Sequence, residues 1–347
     1  MEQHKSSRIL YLDLLKILSI YFVILIHVTA ENWYDDIQGV YWLVNNGYNA
    51  LSRWGVPVFC MVSGALLLSR DIPIRKIYTH YLPRIALLLL IWGLAYEVLT
   101  AGGISVEVLL GGVRNLLRGK AYSHLWYLYM IMGLYIITPP LRAMIRGSEQ
   151  KTLTYFLVCA FLFAVVLPRL LTLSWLEPYG GWINKLDVQL FGGYIFYYVA
   201  GWYLHQFTLP KWARRTLYLC GGLLLVGAMV ISEIRSRQLN YQYVNYGVFS
   251  LGTAVFSLAL FVLCRSVSPR LEQSPRLSRM ISFTGPLTFG IYLCHFMVEK
   301  LLLRFGLHSN VIHPLLGAPL VSLLIFLLSG GICWLLRKIP LLRRLVE

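Results

Sequence analysis

Runs of about 20 predominantly apolar residues, separated by shorter polar stretches, recur along the whole chain. They cover 9–29, 54–69, 83–101, 125–144, 153–171, 190–208, 214–232, 247–267, 284–303 and 314–336. At about 1.5 Å of rise per residue, such a run makes a helix of about 30 Å, the thickness of a bilayer's hydrocarbon core. Apolar and polar residues do not alternate over segments of about 10 residues, which excludes an outer-membrane barrel. The pattern predicts an all-α polytopic integral membrane protein with about ten transmembrane helices. The longest polar stretches, 30–50, 102–124, 172–189 and 266–283, are predicted loops, so residues 1–347 read as a single transmembrane domain. The two halves show no matching pair of short, interrupted spans of the kind that marks an inverted-repeat transporter.

Composition agrees with the pattern. Of 347 residues, 58% are hydrophobic and only 13% charged, and the mean hydropathy is +0.64. The net charge of +16 invites a nucleic-acid reading, which the placement of the charges rejects. With the N-terminus inside and ten spans, nineteen Lys and Arg residues fall in cytoplasmic segments and eight in outer ones. That positive-inside bias predicts both termini to be cytoplasmic. A basic start, an apolar run and Val28-Thr29-Ala30 imitate a signal peptide. Asp13 and Lys16 interrupt its core and nine spans follow, so the segment is expected to be retained. The six cysteines lie in or beside apolar runs without metal-type spacing, and read as packing residues with no disulfide or metal implied.

The polar residues inside the spans change the picture more. The first run carries Asp13, Lys16 and His27. At about 100° per residue, the eleven steps from Lys16 to His27 return to within about 20° of the same face, and Asp13 lies about 40° to the other side. One stripe therefore bears an acid and a base near the cytoplasmic end and an imidazole about 16 Å further along. Ionisable groups at that depth mark a functional site. The structural alternatives are an i, i+3 ion pair between Asp13 and Lys16 and a histidine hydrogen-bonded to a neighbouring helix. The stretch 30–50 carries Glu31, Asp35 and Asp36 with Trp33, Tyr34, Tyr41, Trp42 and Tyr48, which suits either sugar binding or an interfacial aromatic belt. Glu299 and Lys300, near the outer end of the ninth span, read as snorkelling side chains outside the site.

Three further segments accompany the stripe. The second span opens Ser52-Arg53-Trp54-Gly55-Val56-Pro57 and continues Phe59-Cys60-Met61-Val62-Ser63-Gly64. The fourth begins His124-Leu125-Trp126-Tyr127 and ends Thr138-Pro139-Pro140-Leu141-Arg142, and the ninth reads Gly290-Ile291-Tyr292-Leu293-Cys294-His295. Together, and in this order, these segments resemble membrane acyltransferase family 3 over essentially the full length. The family has a first-helix basic residue, ten intervening positions and a histidine, matched by Lys16 and His27. Within the family, the chain looks most like the O-acetyltransferases of bacterial surface polysaccharides such as enterobacterial common antigen.

The resemblance implies transfer of an acyl group, acetyl above all, from cytoplasmic acyl-CoA to a hydroxyl of a cell-surface saccharide or its lipid-linked precursor, in the bacterial inner membrane. It implies a catalytic role for His27, as base or transient acyl carrier, with Lys16 and Asp13. It also implies acceptor binding by Arg53, Ser63, His124, Trp126, Tyr292 and His295, and no metal. Imidazole titrates near neutrality and can take a hydroxyl proton, which suits His27. Lysine stands at position 16 where the family more often has arginine, and Tyr81 stands where the earlier of two arginines is common. Arg75, Lys76 and Arg84 are then the expected phosphate ligands for acyl-CoA, Arg84 foremost because its fork binds two oxygens at once. The expected partners are acyl-CoA, the saccharide and membrane lipids, with no nucleic acid. The rival reading is a transporter or flippase that uses the charged stripe as its path.

Overall fold

The computed structural model describes residues 8–31, 37–173, 175–181, 185–186 and 192–346. Their regular structure is helical throughout, with no strand among the described residues. The helices are α1 (Leu10–Ala30), α2 (Val40–Ser52), α3 (Gly55–Leu67) and α4 (Ile74–Ala101), the last containing a π turn at Ile77–Tyr81. There follow α5 (Val106–Leu117), α6 (Ser123–Arg146), α7 (Gln150–Leu170), α8 (Ile195–Gln206) and α9 (Lys211–Leu239). The chain continues through α10 (Leu251–Glu272), α11 (Pro275–Thr284), α12 (Thr288–Arg304) and α13 (Pro314–Lys338).

Among the described residues, nine helical stretches are long and apolar enough to cross a membrane, with α2–α3 and α11–α12 each counting as one. The sixth predicted span, 190–208, corresponds to α8, and its first two residues lie outside the described residues. So do Lys5, Trp33, Tyr34, Asp35 and Asp36. The protein is an all-α, multi-pass membrane protein.

Three predicted boundaries are corrected. The second span begins at Val40 rather than 54, and 40–52 is helix rather than loop. Hydropathy misses α2 because Asn45, Asn46 and Asn49 punctuate it, yet all three are buried. Their amides donate to Asn310, Glu233 and the Ile26 carbonyl instead of facing lipid, so protein satisfies what a bilayer cannot. The predicted loop 102–124 contains α5, whose N-cap Ser105 accepts from the Val108 amide at 3.1 Å. The predicted loop 266–283 is the end of α10 and most of α11.

The chain forms two compact units, residues 1–65 with 155–347, and residues 66–154. In the first, α1 is central and packs on α2, α10, α11, α12 and α13. That placement explains how it tolerates a polar stripe, since protein rather than lipid surrounds it. Lipid tails are as apolar as leucine, so close approach rather than burial alone holds such helices together. The crossing of α3 and α8 shows this: a Cβ on Gly64 would lie 1.8 Å from the Tyr198 carbonyl oxygen, and one on Gly201 2.0 Å from that of Met61.

In the second unit α4 packs against α5 and α6. Asn115 donates to Glu97 at 2.9 Å and the Tyr129 hydroxyl to the Leu116 carbonyl at 2.7 Å. Arg142 is buried and gives 2.5 Å hydrogen bonds to the carbonyls of Arg70 and Ile72. Arg265, in the first unit, similarly binds the carbonyls of Leu204 and Phe207 at 2.5 and 2.6 Å. Both belong to the cytoplasmic set of the sequence reading. They satisfy carbonyls at helix ends and loops that have no intrahelical donor.

Candidate functional site

The site of the first unit is built where α1 meets α12. The His27 ring lies with its centroid 5.5 Å from that of His295 and 4.9 Å from that of Phe296, the latter pair T-shaped. His27 keeps partial exposure, whereas His295 is fully buried. His295 Nδ1 lies 2.7 Å from the Tyr292 carbonyl and 3.2 Å from that of Ile291. Carbonyl oxygens only accept, so Nδ1 carries the proton, and Nε2 is the acceptor nitrogen of the neutral ring. The backbone of α12 thereby fixes the tautomer. Tyr292 stacks on Phe289 and lies 6.2 Å from the His295 ring, completing an aromatic wall.

Arg53 sits at the break between α2 and α3. Its Nε and Nη2 both donate to Asn49 Oδ1, at 2.9 and 2.5 Å, while its guanidinium lies 5.6 Å from the centre of the Tyr246 ring. The Asn49 amide nitrogen donates to the Ile26 carbonyl and to Thr29 Oγ1, each at 3.2 Å. Asn49 therefore ties Arg53 to the turn of α1 that carries His27. Tyr246 donates to Asn46 Oδ1, and Asn46 donates to Glu233 at 2.8 Å. Burial holds the Tyr246 phenol above its ordinary range, against the opposing pull of Arg53, so it remains a donor. Glu233 also receives Arg237 Nε at 2.6 Å, which closes the network on α9. Lys300 Nζ lies 5.4 Å from the centre of the Phe296 ring that packs on His27.

The predicted catalytic trio divides into two stations. Lys16 Nζ pairs with Asp13 Oδ1 at 2.5 Å, so the i, i+3 ion pair is present. Asp13 is buried against the 3-10 turn before α12, where a Cβ on Gly285 would come within 2.6 Å of its Cγ. Eleven residues of helix, about 16 Å, separate Lys16 from His27, so the two cannot touch one reacting atom. Ser63 lies on α3 beside the Gly64 crossing, ten residues beyond Arg53 and about 15 Å along a helix at that rise. Of the expected first-unit residues, the structure thus brings His27, His295, Tyr292 and Arg53 together, and leaves Lys16, Asp13 and Ser63 at another depth.

Within the second unit, His124 is buried among Tyr96 and Tyr122, with ring centroids at 4.8 and 5.9 Å. Trp126 is exposed. Arg75, Lys76 and Arg84 are all exposed and lie on α4. Nine α-helical steps would set Arg75 and Arg84 about 180° apart, and the π turn between them alters that register. A second basic feature, in the first unit, escaped the sequence reading as a site. It is a cavity of about 360 Å³ lined by Lys211, Arg214, Arg215, Tyr218 and Ser266.

Glu299 corrects an expectation. It does not snorkel: it is 2% exposed, one turn beyond His295. The rule that singles out Asp13 as a charge inside a span applies equally to it. Phe296, Asn49 and Tyr246 were also missed; no periodicity distinguishes Phe296 and Tyr246 from packing residues, whereas Asn49 stands one helical turn before Arg53. Among the described residues no group of three or more His, Cys, Asp or Glu side chains is placed to hold a metal ion.

Searches of curated proteins and of solved structures gave no match. A family model described as an acyltransferase domain matches residues 9–338, nearly the whole chain and both stations of the α1 stripe. The chain therefore belongs to acyltransferase family 3 and is a membrane acyltransferase.

Proposed function

We propose that this acyltransferase moves an acetyl group from acyl-CoA, entering from the cytoplasm, to a hydroxyl of a cell-surface saccharide or lipid-linked precursor in a bacterial inner membrane, with both of its termini cytoplasmic. The observation that carries the reading is the imidazole pair, His27 against a tautomer-fixed His295, on a chain of this family. His27 takes the proton of the acceptor hydroxyl as its oxygen attacks the thioester carbonyl carbon. The C–O bond forms, and the carbonyl becomes a tetrahedral oxyanion that the nearby Arg53 cation stabilises. Collapse breaks the C–S bond, and the imidazolium returns its proton to the leaving thiolate. His295 orients His27, as the third member of an acyl-transfer constellation orients the base. Arg75, Lys76 and Arg84 are the proposed donor-phosphate ligands.

The test is thiol release from acetyl-CoA by the purified protein in nanodiscs, with methyl glycosides of hexoses and N-acetylhexosamines as acceptors. Acceptor-dependent release with recovery of the O-acetyl glycoside is the expected result. Saccharide transport in vesicles without thiol release would replace this reading with a transporter.

A further inference from the structure

Two neighbouring helices carry the same pair of residue types at the same spacing. At the end of α1 the C-cap Glu31 follows His27 by four residues, and on α12 Glu299 follows His295 by four. The two glutamates differ in what holds them. Glu31 receives Lys300 Nζ at 2.9 Å. Lys300 is thus engaged with Glu31, and it also lies 5.4 Å from the centre of the Phe296 ring. Glu299 is 2% exposed, and neither of its carboxylate oxygens has a hydrogen-bond partner among the described residues. A carboxyl group removed from water with neither oxygen hydrogen-bonded is costly, and far more so when it is ionised. A ligand that brings hydroxyl donors to it relieves that cost and favours the ionised form.

Position narrows the ligand. Glu299 lies about 6 Å along the α12 axis from His295 and on nearly the same face. It therefore stands one turn beyond the imidazole pair, on the side where α1 ends at Glu31. Ionised, it offers only acceptors, two oxygens with about four lone-pair sites. A polyol presents hydroxyl donors on adjacent carbons, whereas an acyl thioester presents none at its reacting end. We infer that Glu299 binds the acceptor saccharide, its two oxygens receiving the hydroxyls that flank the one His27 deprotonates. This rests on the proposed function for the identity of the acceptor. The lone carboxylate beside two histidines carries it independently as a polyol site.

Glu299→Gln keeps shape and size but exchanges one acceptor oxygen for a donor and removes the charge. In nanodiscs, it is expected to raise the Michaelis constant for the methyl glycoside by about 10–100-fold, the scale of charge-assisted hydrogen bonds, and to leave that for acetyl-CoA unchanged. Thermal unfolding with the glycoside alone reads binding without chemistry, and the stabilisation that wild type shows should vanish in Glu299→Gln. Glu299→Asp, which keeps the charge on a shorter arm, should recover part of it. Unchanged glycoside constants and an unchanged thermal shift in Glu299→Gln would overturn the inference and leave Glu299 as a buried neutral acid. Wild type that releases no thiol, yet loses its glycoside-dependent shift on Glu299→Gln, would support the saccharide site and overturn the transferase reading instead.

Discussion

His27→Ala separates a catalytic histidine from a packing one, because the two roles predict losses on different scales. The ring makes two aromatic contacts, with Phe296 at 4.9 Å and His295 at 5.5 Å between centroids. Such pairs contribute about 0.5–1.5 kcal/mol each beyond area burial, so their loss lowers stability by about 1–3 kcal/mol. His27 is partly exposed, so its removal widens an opening rather than sealing a dry void, which keeps the cost near the lower end. A general base, by contrast, contributes about two to four orders of magnitude in rate, equivalent to about 2.7–5.5 kcal/mol of barrier.

The assay pairs thermal unfolding of the purified variant with acetyl-CoA thiol release per folded molecule. The expected result is a modest fall in midpoint temperature with turnover reduced at least about 100-fold. His27→Gln restores a polar side chain without a titratable nitrogen, and should lose as much rate as His27→Ala while regaining stability. A folded His27→Gln protein turning over at a rate near wild type would refute the assignment, whatever its stability.

Three further outcomes follow from the geometry. Lys16→Met leaves the buried Asp13 without its 2.5 Å partner, and should cost more stability and activity than Lys16→Arg. Equal unfolding midpoints and activities in the two variants would reduce the pair to a topology signal. Arg84→Ala should raise the Michaelis constant for acetyl-CoA, and wild-type donor affinity should weaken as salt screens the contact; an unchanged constant would move the phosphate site to the cavity lined by Lys211, Arg214 and Arg215. Cysteines engineered at Gly39, before α2, and at Gln273, between α10 and α11, should be labelled from opposite faces of the membrane; labelling of both from one face defeats the topology.

The spans were legible because a run of about 20 mostly apolar residues marks a crossing helix whether its side chains meet lipid or other apolar helices. Where a helix faces protein on its polar side, the same measure fails. Asn45, Asn46 and Asn49 made α2 look like loop, although each amide is held by another helix or loop. The stripe of α1 was legible for the opposite reason, since charged residues in an otherwise apolar run stand out and their register follows from helix geometry alone. What register cannot give is the partner across the interface. Nothing in the spacing of His27 pairs it with His295, or of Arg53 with Tyr246, because those contacts depend on how segments far apart in sequence pack, whereas Asn49 and Arg53 are i, i+4 neighbours that helix register does pair. Glu299 was within reach of the reading and was set aside, because its neighbour Lys300 made a surface location plausible; the two side chains in fact separate, one into the protein and one onto Glu31.

The division of the α1 stripe bears on what the proposed donor must look like. Asp13 and Lys16 form one polar level and His27 the next, with about 16 Å of helix between them. Ser19, Ile20, Val23, Ile24 and Leu25 are the buried residues of that interval, so it is largely apolar. A ligand that meets both levels has to be long and slender, polar at its cytoplasmic end and reactive at the other, and a nucleotide-bearing thioester on a pantetheine arm has that form. A compact transported solute would instead need its polar contacts spaced at its own dimensions along the path. The spacing therefore favours acyl-CoA reaching up to His27 over a solute passing it. Lengthening the acyl chain from acetyl to butyryl tests the point: the extra carbons have to fit around His27 and Phe296, so turnover should fall while the coenzyme's own affinity, set at the far end, stays level.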